Sequence, residues 1–143
     1  MKKSYSLALV AFTLLIGACS KKEVAAPAPT TTTLSATING AQQVPANSST
    51  ATGTFAGSYN SGSMLLTYMV TYQGMTPSIA HIHIGAPGTS GPVAIPFANL
   101  ASPITGTVTL TADQAENLLT NKLYVNMHST AFPNGEIRGD IRK

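Results

Sequence analysis

An all-β fold, an antiparallel Greek-key sandwich or barrel of about eight strands with one short helix, is what three features of the sequence predict. Short runs alternate apolar and polar residues with a period of two, the pattern of half-buried strands. Eleven of the twelve glycines and seven of the nine prolines fall from Leu34 onward, spaced as turns between those runs. The same region has no Trp and is rich in Thr, Ser, Ile and Val, residues that suit a pleated surface better than a helical bundle. Its charges are Lys122, Arg138, Arg142 and Lys143 against Asp113, Glu116, Glu136 and Asp140, so it carries no net charge. The formal +3 of the whole chain comes from lysines near its start. Nucleic acid is therefore not an expected partner, because no basic excess is available to neutralise phosphates.

The start of the chain is read as processing and anchoring sequence. Lys2 and Lys3 precede an apolar run from Leu7 to Ile16, and Gly17 and Ala18 precede Cys19, the single cysteine of the chain. Residues 1–18 are read as a secretory signal, too short to remain as a membrane-spanning helix. Ile16-Gly17-Ala18-Cys19 resembles the bacterial lipobox, which implies cleavage before Cys19 and lipid on its sulfur. Two or three acyl chains make a stable anchor. Residues 19–33, with Pro27, Pro29 and a run of Thr, read as a flexible tether, and residues 34–143 as one domain. Ser20 after the lipidated Cys resembles lipoproteins sent to an outer membrane. The expected location is thus the bacterial cell envelope, with the domain on the periplasmic or the outer surface. Cys19→Ser is expected to abolish acylation and leave a soluble or uncleaved product in detergent partitioning. An acylated, membrane-bound variant would overturn the lipoprotein reading.

Residues 33–38 alternate weakly as a first strand, ended by the turn dipeptide Asn39-Gly40. Residues 50–59 and 64–72 form a hairpin turned at Asn60-Ser61-Gly62. Phe55, Gly57 and Tyr59 share one face of its first arm, and Met64, Leu66, Tyr68, Val70 and Tyr72 share one face of its second. Phe55, Tyr68 and Tyr72 are expected in the core. Residues 79–84 are a short strand, 87–92 a Gly- and Pro-rich connection, 93–97 a short edge strand and 104–110 another strand. Thr111 with Gln114 three residues on is a capping box for a helix of about two turns, with Ala115, Leu118 and Leu119 on its apolar side. Residues 123–128 and 136–142 are the last strands, joined through Pro133-Asn134-Gly135.

A period of two sorts the side chains of three of these strands. Ala80, Ile82 and Ile84 face the core, and His81 and His83 face away. Val125 and Met127 face the core, and Tyr124, Asn126 and His128 face away. Ile137 and Ile141 face the core, and Glu136, Arg138, Asp140 and Arg142 face away. All three histidines of the protein and half the charges of the domain thus lie on outward faces, forming one polar patch if the strands are neighbours.

Two histidines at i and i+2 of a strand have Cα atoms roughly 6.5–7 Å apart, close enough for both rings to reach one metal ion. A third from a neighbouring strand would complete a three-nitrogen site suited to Cu or Zn. His81, His83 and His128 are the candidate ligands. Glu136, Asn126 and Arg138 are candidates for the shell that supports them. Imidazole ligates only when neutral, so metal affinity is expected to weaken as pH falls through about 6.5. His-x-His is also common by chance, and the alternative is a set of surface histidines hydrogen-bonded to neighbours such as Glu136 and Asn126.

Ala80-His81-Ile82-His83-Ile84-Gly85, Gly88, Gly91-Pro92-Val93, residues 123–130 and Pro133-Asn134-Gly135-Glu136-Ile137-Arg138-Gly139 together resemble the CHRD domain, named after chordin. Residues 34–47, with their Gln-x-Val-Pro turn, resemble its opening. The resemblance implies an extracytoplasmic β-sandwich and leaves the biochemical role open. A more distant resemblance is to copper/zinc superoxide dismutase, in which His81, His83 and His128 would take three copper-ligand places. The bridging His, the zinc ligands and the disulfide of that enzyme have no counterpart here, so a dismutase would be at most vestigial.

No catalytic constellation emerges. There is no nucleophile elbow, no mature cysteine beyond the lipidated one, and no P-loop. Residues 85–91 superficially resemble a phosphate cradle, but they lack a Lys, Pro87 and the following Pro92 donate no amide, and no helix follows. Gly135 and Gly139 are expected to serve a turn and close strand packing. The reading is a lipid-anchored, non-enzymatic binding module whose partners are the membrane and a metal ion or another envelope protein. The rival reading is a structural or protein-interaction module without metal.

Overall fold

The computed structural model describes residues 28–143; the expected signal sequence, Cys19 and most of the expected tether lie outside the described residues. Eight strands are present: β1 (Thr31–Asn39), β2 (Thr52–Asn60), β3 (Leu65–Gln73), β4 (Ile79–Ile84), β5 (Val93–Pro96), β6 (Ile104–Thr109), β7 (Leu123–His128) and β8 (Ile137–Asp140). The helix α1 (Ala112–Leu119) follows β6, and a 3₁₀ turn (Gly40–Gln42) follows β1. All pairings are antiparallel, in the order β5-β4-β7-β8-β1-β2-β3-β6. This single curled sheet folds its β5-β4-β7-β8 half over its β1-β2-β3-β6 half, with apolar side chains of both halves in one core.

The core face of each strand is the one that alternation selects. Leu34 and Ile38 of β1, Phe55 and Tyr59 of β2, Leu66, Tyr68 and Val70 of β3 and Ile104 of β6 meet Ala80 and Ile82 of β4, Val125 and Met127 of β7 and Ile137 of β8. Tyr68 packs between Phe55 and Phe97, with ring centroids 6.3 and 5.2 Å away. Tyr72 is only partly buried and donates its hydroxyl to the Leu100 carbonyl (2.5 Å). Met64 lies just before β3 with φ 57°, and packs on the rim of the core.

The turns are built by side chains. The Asn39 side chain accepts from Gln42 N (3.1 Å), starting the 3₁₀ turn, and Asn60 accepts from Gly62 N and Ser63 N, closing the hairpin. The capping box is complete, since Gln114 N donates to Thr111 Oγ1 while Thr111 N donates to Gln114 Oε1. Gln114 Nε2 also donates to the Ala94 carbonyl (3.1 Å), so the same side chain ties α1 to the edge strand β5. Gly139 admits no side chain: a Cβ there would meet the Thr37 carbonyl at 2.5 Å, where β8 crosses close to β1.

Two boundaries differ from the sequence expectation. Strand β1 starts at Thr31, inside the expected tether, because Thr31–Thr33 pair with Ser58–Asn60. Strand β8 covers only Ile137–Asp140. Glu136 remains in the preceding turn, where Gly135 has φ 120°, and Arg142 pairs separately with Ser35.

Candidate metal centre

Three central strands carry the site. Antiparallel pairing sets His81 beside Asn126, His83 beside Tyr124, Asn126 beside Arg138 and Tyr124 beside Asp140. With Ala80, Ile82, Val125 and Met127 committed to the core, these polar residues emerge together on the opposite face of the sheet. That face is not the open surface the sequence suggests. His81, His83, Tyr124, Asn126, Glu136 and Arg138 are all buried, Arg138 to 1% exposure.

Burial comes from loops that the alternation pattern does not describe. The connection 85–92 folds back over β4 and β7 and is fastened at several points. Gly85 N donates to the Lys122 carbonyl, and Gly91 N to the Tyr124 hydroxyl. Arg138 Nη1 donates to the Thr89 carbonyl (2.8 Å) and Nη2 to that of Ala86 (3.4 Å). Only glycine fits at position 91, because a Cβ there would collide with the Ile84 carbonyl. On the other side Gln43 donates to Asn126 Oδ1 (2.6 Å), and the 129–135 turn packs beneath His128.

The structure brings His81, His83 and His128 together: one ring nitrogen from each lies within 4.8 Å of the others. The rings of His81 and His83 meet edge to face, as do those of His81 and His128. His83 Nδ1 lies 2.9 Å from the Gly91 carbonyl and His128 Nδ1 lies 2.9 Å from the Pro133 carbonyl. A carbonyl can only accept, so both Nδ1 atoms carry hydrogen, and in the neutral form of each ring Nε2 keeps its lone pair. His83 Nε2 sits 3.1 Å from His81 Nδ1, and His128 Nε2 is buried with no hydrogen-bond partner.

Of the supporting residues, Asn126 pairs with His81 and with Arg138 across the strands, while the Glu136 carboxylate accepts from Ser49 Oγ (2.7 Å). Tyr124 is an aromatic neighbour of the cluster. Its ring stacks on His83 (4.9 Å, 3° between planes), and the Arg138 guanidinium lies 3.6 Å from its centroid. Because β7 runs between β4 and β8, the phenol ring separates the imidazole from the guanidinium. Arg138 pairs with Asp140 (3.0 Å), which also receives Arg142 (3.2 Å). Tyr124, Asp140 and the carbonyls of Gly91 and Pro133 are the parts of the site that spacing alone did not single out. The available signals were the Gly85, Gly88, Gly91 interval and the Pro-Asn-Gly turn, which carry the family resemblance but, as turns, give no direction to their carbonyls.

Burial disfavours protonation here. The His81 pKa is lowered to about 4, first by desolvation and then by His83 and His128. That of His83 is lowered mainly by desolvation, with His128 and Arg138 adding to the effect against the opposing Gly91 hydrogen bond. An ion held by His81 and His83 would therefore meet less competition from protons at those two rings than at exposed imidazoles. The metal-free protein has its own pH dependence. Between pH 6.5 and about 4 the unfolded chain takes up a proton at position 81 that the folded chain refuses, so stability is full above 6.5 and falls as pH drops. The loss expected from His81 alone is about 3 kcal/mol, read by urea denaturation at pH 7 and pH 4. His81→Asn should flatten that slope; an identical slope in the variant would refute the assignment.

Fold and site together define an antiparallel β-sandwich with a covered histidine cluster on the non-core side of its central strands. The chain belongs to the CHRD domain family, whose family model matches residues 34–141. No curated protein and no solved structure matched the chain.

Proposed function

We propose that this protein is a metal-binding module of the cell envelope, holding a copper or zinc ion through His81, His83 and His128. The observation that carries the reading is the unpartnered, buried Nε2 of His128. A buried acceptor without a partner costs about 1–3 kcal/mol, and an ion among the three rings removes that cost. The carbonyls that fix His83 and His128 through Nδ1 add to it, since metal-bound histidines characteristically use their second nitrogen this way. The rival reading, a hydrogen-bonded surface in an interaction module, fits less well with a cluster that is covered and incompletely bonded. The same cover supports a binding role over an enzymatic one. Membership of the CHRD family supports an extracytoplasmic setting, with Cys19 as the membrane anchor.

The test is a calorimetric titration of the full chain in detergent with Cu and Zn at pH 7.5. One saturable equivalent is expected, weakened at least tenfold in each of His81→Ala, His83→Ala and His128→Ala and unchanged in Glu116→Gln. Glu116 lies on α1, outside the cluster. Absence of saturable binding of either metal, or binding indifferent to all three His substitutions, would leave the metal-free module as the better account.

A further inference from the structure

We propose that the site is built for monovalent copper, Cu(I), in preference to Cu(II) and Zn(II), and that the cationic side of the Arg138–Asp140–Arg142 group enforces the choice. The inference rests on the metal-binding reading above and goes further by assigning the charge and coordination of the ion.

The donor set is the first argument. The cluster consists of three imidazoles, with no carboxylate or thiolate among the grouped ligands of the described residues. Neutral ligands leave the whole charge of a buried ion uncompensated. The solvation cost of burying an ion rises with the square of its charge, so a dication loses about four times as much as a monocation. Glu136, the carboxylate that could have offset a second charge, is engaged by Ser49.

Coordination number is the second. Zn(II) is almost always four-coordinate and Cu(II) prefers tetragonal sites with further nitrogen or oxygen donors. Three nitrogens in a plane about 2 Å from an ion lie about 3.5 Å apart. The 3.1 Å between His81 Nδ1 and His83 Nε2 is near that spacing, and His128 Nε2 needs only a modest approach. His81 and His83 are 7% and 9% exposed and His128 Nε2 is enclosed, so the space around them favours an ion satisfied by three ligands.

The third is the neighbouring charge. Behind the Tyr124 ring lies the Arg138 guanidinium, and two guanidiniums share the one Asp140 carboxylate. The residual positive charge repels a dication twice as strongly as a monocation at the same distance. In the metal-free protein His81 Nδ1 donates to His83 Nε2, so loading Cu(I) exchanges this hydrogen bond for two metal bonds and moves the His81 proton to its other nitrogen.

The experiment measures three affinities of the full chain in detergent at pH 7.5. Cu(I) is titrated anaerobically against a chromogenic cuprous chelator, and Cu(II) and Zn(II) against chelators of known affinity. Cu(I) binding at least 100-fold tighter than Cu(II) and Zn(II) is expected, with His81→Ala abolishing the preference. Arg142→Gln, at a half-exposed side chain, frees Asp140 to neutralise Arg138 and should lower the Cu(I)/Cu(II) affinity ratio severalfold. An unchanged ratio in that variant would overturn the electrostatic argument. Zn(II) or Cu(II) binding as tight as Cu(I), still dependent on the three histidines, would overturn the inference and leave the metal-binding reading standing. Failure of all three ions to bind would overturn both.

Discussion

Ile82→Asp is expected to leave the domain unfolded at room temperature. Ile82 is fully buried at the centre of β4, paired with Val125 of β7 and Ile95 of β5, and belongs to the one apolar core. The substitution removes about 1.5–3 kcal/mol of apolar burial and places a carboxylate where no polar partner exists, at a further cost of several kcal/mol. The total stability of a domain of this size is about 5–15 kcal/mol, so little remains. His81→Ala, one residue away on the opposite face, should keep the fold, because it empties space between other side chains of a polar cluster and strands no charge. Circular dichroism melts of the two variants decide the matter. A cooperative transition for Ile82→Asp within a few degrees of the parent, with His81→Ala unfolded, would mean that the faces of β4 are assigned the wrong way round.

That assignment shows what kind of information the sequence carries. A strand's period of two separates Ile82 from His81 and His83 without knowledge of any other strand, and the same rule sorts Val125 from Tyr124 and Ile137 from Arg138. Short-range chemistry was equally readable: the Asn60 turn, the Thr111–Gln114 box and the core tyrosine Tyr68 are decided by residues a few positions apart or by one apolar face. Alternation, however, says only that a side chain points away from the core, and it is silent on whether water lies there. The histidine face is covered by residues 85–92, a stretch outside any strand or helix, and its cover depends on Arg138 reaching Thr89 across 49 positions of sequence. The partner that Glu136 takes was hidden for a related reason. Glu136 sits in the turn ahead of β8, where the period of two does not apply, and its partner Ser49 lies 87 positions away. The three histidines were therefore legible and their surroundings were not, because the former follow from local geometry and the latter from contacts between distant loops.

Arg138→Met is expected to cost about 3–5 kcal/mol and to release the loop over the histidines. Arg138 is 1% exposed, and its guanidinium contacts four residues at once: the Thr89 and Ala86 carbonyls, the Asp140 carboxylate and the face of Tyr124. Met conserves much of the apolar stem, so the loss comes from charge and hydrogen bonds more than from volume. Asp140, with a side chain only 16% exposed, would keep Arg142 alone, and the Thr89 carbonyl would lose its donor, while that of Ala86 would keep Thr89 N and Oγ1. Because Gly91 at the end of that loop holds His83 through its carbonyl, loosening the loop also frees the His83 ring to turn. Arg142→Met is the control: its guanidinium is 47% exposed and shares the same carboxylate, and an exposed pair is worth about 1 kcal/mol at most. Urea denaturation should separate the two variants by about 2 kcal/mol or more. Amide hydrogen exchange should show faster exchange at Gly85 and Gly91 in Arg138→Met only. Equal stabilities, with the loop amides equally protected in both, would show that Arg138 is not the clamp that closes the site.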